Sequence, residues 1–367
     1  MNAWNAERVE LVRRTALESG FDLAGVASAP ASAEEQGWET AERFGDWVTQ
    51  GRAGEMEYLK RKNEEGQYLR SSARAAVPWA RSVIVCAFNY NAPGPLSVDA
   101  APADAGWIAR YAWNGNASGG PADYHDDLMP RLRKVEAALR DSVACETKCY
   151  VDTGPLLERD FAVRAGLGWV GKNTCVLNQQ IGSWLLLGAI VTSLEMERQV
   201  DVAADRCGSC TRCIDACPTD ALVEPRQMDA SLCISYLTIE KKGAIAEELR
   251  EKMGRQVFGC DICQDVCPWN RKAPIAVKNG LKTRNELINP ALSWLSGLDG
   301  PAFKNEFAGS PLERTKRGRV LRNVAIAMGN SRDASFRPRL MEWARGEDGV
   351  LAEAAQWALD RLDLVAS

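Results

Sequence analysis

Apolar and polar positions change period repeatedly along the first 200 residues. In A-E-R-V-E-L-V-R-R-T-A-L-E-S-G, residues 6–20, apolar positions follow the helical repeat and Gly20 closes the run, which predicts an amphipathic helix. F-D-L-A-G-V-A then reads as a strand, residues 38–50 as a helix, and S-V-I-V-C-A-F-N-Y as a buried strand. Residues 92–122 are rich in Ala, Gly, Pro and Asn and are expected to form a loop or flap. D-D-L-M-P-R-L-R-K-V-E-A-A-L-R-D-S-V starts a helix with acidic residues first and basic ones later, the order its dipole favours, and a kink is expected near Pro130. C-Y-V-D is a short strand, P-L-L-E-R-D-F-A-V-R-A-G a helix closed by Gly166, and S-W-L-L-L-G-A-I-V-T-S-L another strand. This alternation makes residues 1–200 an α/β domain. Residues 201–272 carry closely spaced cysteines and form a second module. Residues 273–367 read as all-helical. There, R-G-R-V-L-R-N-V-A-I-A-M-G-N and A-E-A-A-Q-W-A-L-D-R-L look like two units of a helical repeat about thirty residues apart. Two units are too few for a free solenoid, so they are expected to pack on the rest.

A chain of 367 residues suggests two or three domains. M-N-A-W-N-A-E-R lacks the charged-then-apolar pattern of a signal segment, and no apolar run reaches the length of a membrane helix. A cytoplasmic monomer with reduced cysteines is the expectation. The net charge of −4 gives no general attraction to nucleic acid, so any such binding needs a local patch. His125 is the one histidine, which excludes a His-rich zinc site and a facial triad of two histidines.

The twelve cysteines are distributed unevenly. Cys207, Cys210, Cys213 and Cys217 form C-G-S-C-T-R-C-I-D-A-C-P, the C-x2-C-x2-C-x3-C-P spacing that holds a [4Fe–4S] cube in bacterial ferredoxins. Two residues between thiolates let a tight loop turn three sulfurs onto one cluster; the fourth ligates the other cluster in two-cluster ferredoxins. Cys260, Cys263 and Cys267 in C-D-I-C-Q-D-V-C-P form a second run, one cysteine short, and Cys233 supplies it. The expected sets are Cys207, Cys210 and Cys213 with Cys267, and Cys260 and Cys263 with Cys217 and Cys233. The rival is two four-cysteine zinc sites, which the Cys-Pro endings disfavour. Cys86, Cys145 and Cys149 read as structural, while Cys175 stays open.

Four further features carry chemistry or a bland equivalent. Asp152 ends a predicted strand in Y-V-D-T-G-P-L-L-E-R, where it is either a catalytic group or a turn and helix cap. A-G-L-G-W-V-G-K-N-T, residues 165–174, is a Gly-rich loop that matches neither the Walker nor the Rossmann pattern; it is either a ligand cradle or a tight turn. Residues 311–322 hold Arg314, Lys316, Arg317, Arg319 and Arg322 against one acidic residue, either a phosphate-binding stripe or a solvated face. In D-Y-H-D-D-L, Leu128 stands where a D-x-H-x-x-G corrinoid signature needs glycine, so His125 is not expected to ligate cobalt.

Taken together, R-Y-A-W with D-Y-H, V-D-T-G-P-L-L-E-R, A-G-L-G-W-V-G-K-N, both cysteine runs, C-I-S-Y-L-T-I-E and L-R-N-V-A-I-A-M-G-N resemble the epoxyqueuosine reductases, in family order from about residue 20 to 360. The resemblance implies a nitroreductase-like α/β domain that binds cobalamin, a ferredoxin-like module with two [4Fe–4S] clusters, and C-terminal HEAT-like helices that bind tRNA. It implies electrons from an external low-potential donor, passed through the clusters to cobalt, and reduction of epoxyqueuosine at the tRNA wobble position. Asp152 matches the family's proton donor; such an acid must keep its proton at neutral pH, which calls for burial. Arg70, Lys172, Asn173, Thr174 and Ser235 match positions near the cofactor. The basic stripe, with Arg271 and Lys272, becomes the candidate tRNA contact. Ala109 stands where some members carry a cysteine near cobalt, and the N-G-N-A-S-G-G-P-A stretch is longer than usual. A non-catalytic electron carrier and a reductive dehalogenase are the rival classes.

Overall fold

The computed structural model describes residues 3–30, 39–196, 202–276 and 282–366. The first helix, Ala6–Glu18, starts where Asn5 accepts the Arg8 N–H at 2.8 Å, and Gly20 at φ +91° lets the chain turn back. It leads into β1 (Leu23–Ser28); the helix Glu39–Thr49 and then β2 (Ser82–Asn89) follow. Every β2 residue is buried because each face meets its own core. Val83, Val85 and Ala87 pack with Tyr150, Leu156 and Phe161; Ile84, Cys86 and Phe88 pack with Val12, Leu128 and Leu132. A strand covered on both sides carries the unbroken apolar run seen in the sequence.

Two-residue strands β3 (Trp107–Ile108) and β4 (Asn114–Gly115) precede the helix Tyr124–Ser142, which begins at the Asp123 cap and continues through Pro130. Then come β5 (Thr147–Val151), the helix Glu158–Arg164, the hairpin of β6 (Trp169–Val170) and β7 (Val176–Leu177), and β8 (Leu185–Thr192). The main sheet has the order β1-β2-β8-β5 with every neighbour antiparallel. Helices and strands alternate as the pattern suggested, but no two neighbouring strands are parallel: β8 inserts between β2 and β5, which run parallel to each other and are joined by a crossover through the helix Tyr124–Ser142. The rule that ligands gather at parallel strand ends therefore gives no reason for a site at Asp152.

The 92–122 segment is not a free loop. Ala92, Ala105, Ile108, Ala112 and Trp113 are buried. β3 pairs in parallel with β9 (Gln256–Phe258), and β4 pairs with β10 (Lys282–Thr283). Its small residues serve close packing: a Cβ on Gly106 would lie 2.8 Å from the Val257 side chain.

The C-terminal part is helical, with Leu292–Gly297, Gly300–Phe307, Pro311–Thr315, Arg317–Ser331, Arg337–Ala344 and Gly349–Ala366. In the Arg317–Ser331 helix all residues from Val320 to Gly329 are buried, as expected for a helix without a polar face. A Cβ on Gly329 would lie 2.8 Å from the Ala358 Cα, so this helix crosses Gly349–Ala366 closely. The largest core joins residues from 92–113, 234–258 and 287–362. Divisions at 200 and 272 thus do not fall between separate cores. No helix among the described residues is long and apolar enough to cross a membrane.

Candidate functional site

All twelve cysteines are free. Cys86 and Cys149 sit in the core below the main sheet, and burial pushes the Cys149 thiol up to about 12. The first expected set is brought together: Cys207, Cys210, Cys213 and Cys267 line one groove. The two-residue spacing works through tight turns, with Gly208 at φ +51° and the Cys210 N–H donating to the Cys207 carbonyl at 3.1 Å. Cys267 arrives after the short helix Ile262–Asp265, and Pro268 begins a turn that aims the Trp269 N–H at the Cys267 sulfur. Trp169 and Trp269, 5.1 Å apart edge to face, pack beside Cys207 and Cys267.

The second set gathers deeper. Cys260 lies within electrostatic range of Cys233 and Cys217, and Cys263 within range of Cys260 and Cys233. Cys233 and Cys260 pack against the largest core. The N–H groups of Ser235 and Tyr236 point at the Cys233 sulfur, and that of Ile262 at Cys260. Burial pushes the Cys260 thiol well above its ordinary value. Such a sulfur becomes a thiolate only with a strong positive centre beside it, which a cluster supplies. The N–H donors on the Cys233 and Cys260 sulfurs are of the kind that tune a cube.

Cys175, left open by the sequence, has its thiol against Cys263; their shared hydrogen bond pulls Cys175 down to about 7 and pushes Cys263 up. It lies on the turn of the β6–β7 hairpin, which is knitted to the cysteine module. Asn173 donates to the Cys263 carbonyl at 3.2 Å, and the Lys172 ammonium to the Gly208 carbonyl at 2.7 Å. Thr174 accepts from Arg159, and Ser235 follows Cys233 in the helix Ile234–Ile239. The side-chain contacts of Lys172 and Asn173 are thus with the cysteine loops.

Asp152 terminates β5 at φ +55°, and the Thr153 N–H reaches the Val151 carbonyl at 2.6 Å across it. That is a three-residue turn of the uncommon, strained hand, which persists only where the surrounding structure holds it. The next helix starts six residues later with Leu157 at its N-cap and no side-chain cap bond, so Asp152 is not a helix cap. Its carboxylate accepts the Tyr124 hydroxyl at 2.9 Å. The side chain is exposed, so the chain's own atoms do not provide the burial expected of this acid.

Around Asp152 stand three phenols, a guanidinium and a second carboxyl. Burial foremost, then the Asp152 charge, raises Tyr124, which stays a neutral donor. Tyr111 meets Tyr124 edge-on with ring centres 6.0 Å apart. Arg70 donates to the Leu156 carbonyl at 2.8 Å, lies 3.8 Å from Glu158 and sits 6.0 Å from the Tyr58 ring centre. Burial pushes Glu158 up to about 7 despite Arg70, and its Oε1 has no partner. The same constellation borders the second cysteine set: Tyr111 stands 5.9 Å from Phe258, and the Ala109 N–H donates to the Phe258 carbonyl just before Gly259 and Cys260. Ala109 itself is buried, with its methyl against Gly259.

The basic stripe is not a phosphate surface along its length. Arg322 is 1% exposed and donates to the carbonyls of Leu237, Lys241 and Gly243. Arg319 donates to the Ile239 and Glu240 carbonyls and Arg317 to that of Leu298. These arginines fasten the helix to its neighbours. Arg314 and Lys316 stay exposed. Arg314 reaches back to Asp123 and His125 and stands 5.6 Å from the Tyr124 ring centre, so it forms part of the rim around Asp152. Sequence reasoning missed Arg110, which is 4% exposed between Trp113 and Trp184, and whose backbone N–H donates to Asp261 at 2.6 Å. R-Y-A-W and C-D-I-C thus meet in one buried contact.

Comparisons with known proteins agree with this geometry. Residues 206–270 match the family model of a 4Fe-4S double cluster binding domain, and residues 70–153 that of epoxyqueuosine reductase QueG, DUF1730. The chain is similar to the epoxyqueuosine reductase of Xanthomonas campestris pv. campestris, 34% identical over 95% of this chain and 94% of that one. It is also similar to a crystal structure of epoxyqueuosine reductase with an epoxyqueuosine-modified tRNA-Tyr stem loop, at 30% identity and TM-score 0.82 over 96% of this chain and 89% of that one. A third likeness is to the Bacillus subtilis epoxyqueuosine reductase with its catalytic aspartate loop swung out of the active site, at 28% identity and TM-score 0.81 over 96% and 90%.

Proposed function

The chain belongs to the epoxyqueuosine reductase family, and on that premise we propose that it reduces epoxyqueuosine to queuosine at the wobble position of tRNA, with Asp152 as the proton donor. The observation that carries this reading is an exposed carboxyl on a strained turn, hydrogen-bonded to Tyr124, beside the deeper cysteine set. The reaction takes two electrons and two protons and releases the epoxide oxygen as water. It needs a conduit for electrons and an acid at the departing oxygen, and both lie in one place here.

The two clusters act as wires, held by Cys207, Cys210, Cys213 and Cys267, and by Cys217, Cys233, Cys260 and Cys263. Cobalamin is the implied carrier of the reductive chemistry, able to deliver electron pairs at carbon when bound. One feature of the chain suits an amide-rich cofactor: the buried Glu158 Oε1 has no partner and can accept an amide N–H. Arg70, Glu158 and Ser235 are the residues proposed to hold it, with Thr174 on the hairpin turn. Asp152 protonates the departing oxygen, and Tyr124 keeps the carboxyl pointed through its hydroxyl. His125 is engaged by Asp123 at 2.7 Å, which supports cobalamin binding without a histidine on cobalt.

The wobble base must leave its stack to reach Asp152, and the exposed Arg314 and Lys316 are proposed to meet the backbone around it. The tRNA substrate and the thiolate clusters both favour a cytoplasmic setting. The proposed division of labour runs from a sheet domain carrying Asp152, through the cluster loops, to HEAT-like helices that close the rim. Anaerobically reconstituted protein, given cobalamin, a low-potential reductant and tRNA carrying epoxyqueuosine, should convert that nucleoside to queuosine. Failure to convert it with both clusters intact would overturn the reading.

A further inference from the structure

We propose that the groove over the first cysteine set is the docking surface for a small, acidic electron-carrier protein. This rests on the reading that Cys207, Cys210, Cys213 and Cys267 hold a cluster. Arg206, Arg212 and Lys172 line the same groove, together with Trp269 and Pro268, and no carboxylate does. Arg206 and Arg212 are exposed and have no ion-pair partner among the described residues. Lys172 spends one donor on the Gly208 carbonyl, which leaves its charge uncompensated. Of the acids nearest in sequence, Asp205 pairs with Arg226, while Asp215 accepts the Thr211 hydroxyl at 2.8 Å, keeps its charge and does not line the groove. Arg271 and Lys272 add two exposed cations just after Trp269. In a chain of net charge −4 this cationic rim is a local departure that would orient a negatively charged partner.

The position in the electron path selects the kind of partner. The second set adjoins the Asp152 pocket through Phe258, Tyr111 and Tyr124, and its Cys233 and Cys260 are packed on the main core. The first set is therefore the outer end of the relay, bounded by a groove and a small aromatic cluster. A donor docked there hands one electron to the first cluster; the donor is oxidised, the cluster reduced, and no bond changes. Two encounters supply one epoxide reduction. Such encounters need a small contact, below about 1,200 Å², with charge doing the steering. The tRNA is the other polyanion in play, but its wobble base must reach Asp152, which does not line this groove.

The test is stopped-flow reduction of the reconstituted protein by a reduced, acidic flavodoxin, read from cluster bleaching in the visible range. Wild-type rates should fall steeply with salt. The double variant Arg206→Glu with Arg212→Glu should react at least about tenfold more slowly at low salt. Its iron content, its photoreduction by neutral deazariboflavin and its affinity for an anticodon stem loop should match wild type. Wild-type flavodoxin kinetics in the double variant would overturn the proposal. So would a loss of stem-loop affinity without a change in those kinetics, which would assign the groove to tRNA. Absence of bleaching by deazariboflavin in wild type would overturn the cluster assignment and this proposal with it, whereas failure at nucleoside conversion alone leaves the bleaching readout intact.

Discussion

Arg322→Ala separates a structural arginine from a phosphate contact. The guanidinium donates to Leu237 O at 2.6 Å, Lys241 O at 2.8 Å and Gly243 O at 2.5 Å, and to Asn323 Oδ1 at 3.1 and 2.8 Å. Burial pulls it down to about 10, which leaves it charged at neutral pH. Truncation strips partners from three carbonyls that lie under the helix. Each buried orphan costs about 1–3 kcal/mol, so the gross loss is roughly 3–9. Relief from desolvating the charge, and water reaching the carbonyls nearest the surface, offset part of that. No charge is left behind, so the expected loss stays within the range for orphaned carbonyls, at about 3–5 kcal/mol. Denaturant unfolding followed by far-ultraviolet circular dichroism measures it, with Lys316→Ala, an exposed position, as a comparator expected within about 0.5 kcal/mol. A stable Arg322→Ala protein whose tRNA affinity has lost about 0.7–0.9 in salt slope would refute the reasoning and restore Arg322 to the phosphate surface.

Three other outcomes are expected. Asp152→Asn should lower turnover by roughly 10²–10⁴ while leaving both clusters and tRNA affinity in place; near-normal turnover would leave the carboxyl without a role in proton transfer. Cys233→Ala should cost one cluster and leave about four irons per chain, whereas Cys175→Ala should keep about eight, since the ninth cysteine is a neighbour of the cube and not a ligand; iron analysis of anaerobic protein decides both. Glu158, raised to about 7 in the folded chain, is protonated there at pH values where the unfolded chain is ionised, so its contribution to stability falls as pH rises from about 4.5 to 7 and then levels off. Glu158→Gln should remove up to about 3 kcal/mol of that fall, seen as a flatter stability–pH curve in chemical denaturation, and an unchanged curve would mean the carboxyl is not the source.

The sequence made local chemistry readable and left distant partnerships hidden. Cysteine spacing could be read because three ligands of one cube must come from a single tight loop. The Ala6–Glu18 helix and β2 could be read because their apolar periods are long and regular. Asp152 stood out only through its motif, since nothing in V-D-T-G announces a left-handed residue. The antiparallel order of the sheet could not be read, because pairing is set by long connections and not by the strands themselves. The basic stripe misled because charge is visible in a sequence and burial is not. A signal was nevertheless present: V-L-R-N-V-A-I-A-M-G leaves no polar face, so an arginine inside it has to be buried and paired. Likewise, the Ala- and Gly-rich 92–122 stretch fits either a loop or intimate packing, and only the partner at 256–258 decides between them.

The shared core of residues 92–113, 234–258 and 287–362 has a consequence for how the cell makes this protein. Translation delivers the eight proposed ligand cysteines before the helices that wall in Cys233 and Cys260. Until those helices dock, the nascent chain holds a bare apolar surface and reactive thiols side by side. Metal affinity at such a site is folding free energy, so iron–sulfur delivery and closure of the core reinforce each other. A chain that misses its clusters is then a substrate for proteases before it is an inactive enzyme. Iron starvation should accordingly be felt as a fall in the amount of this protein, through turnover of the unfinished chain, with the message level unchanged.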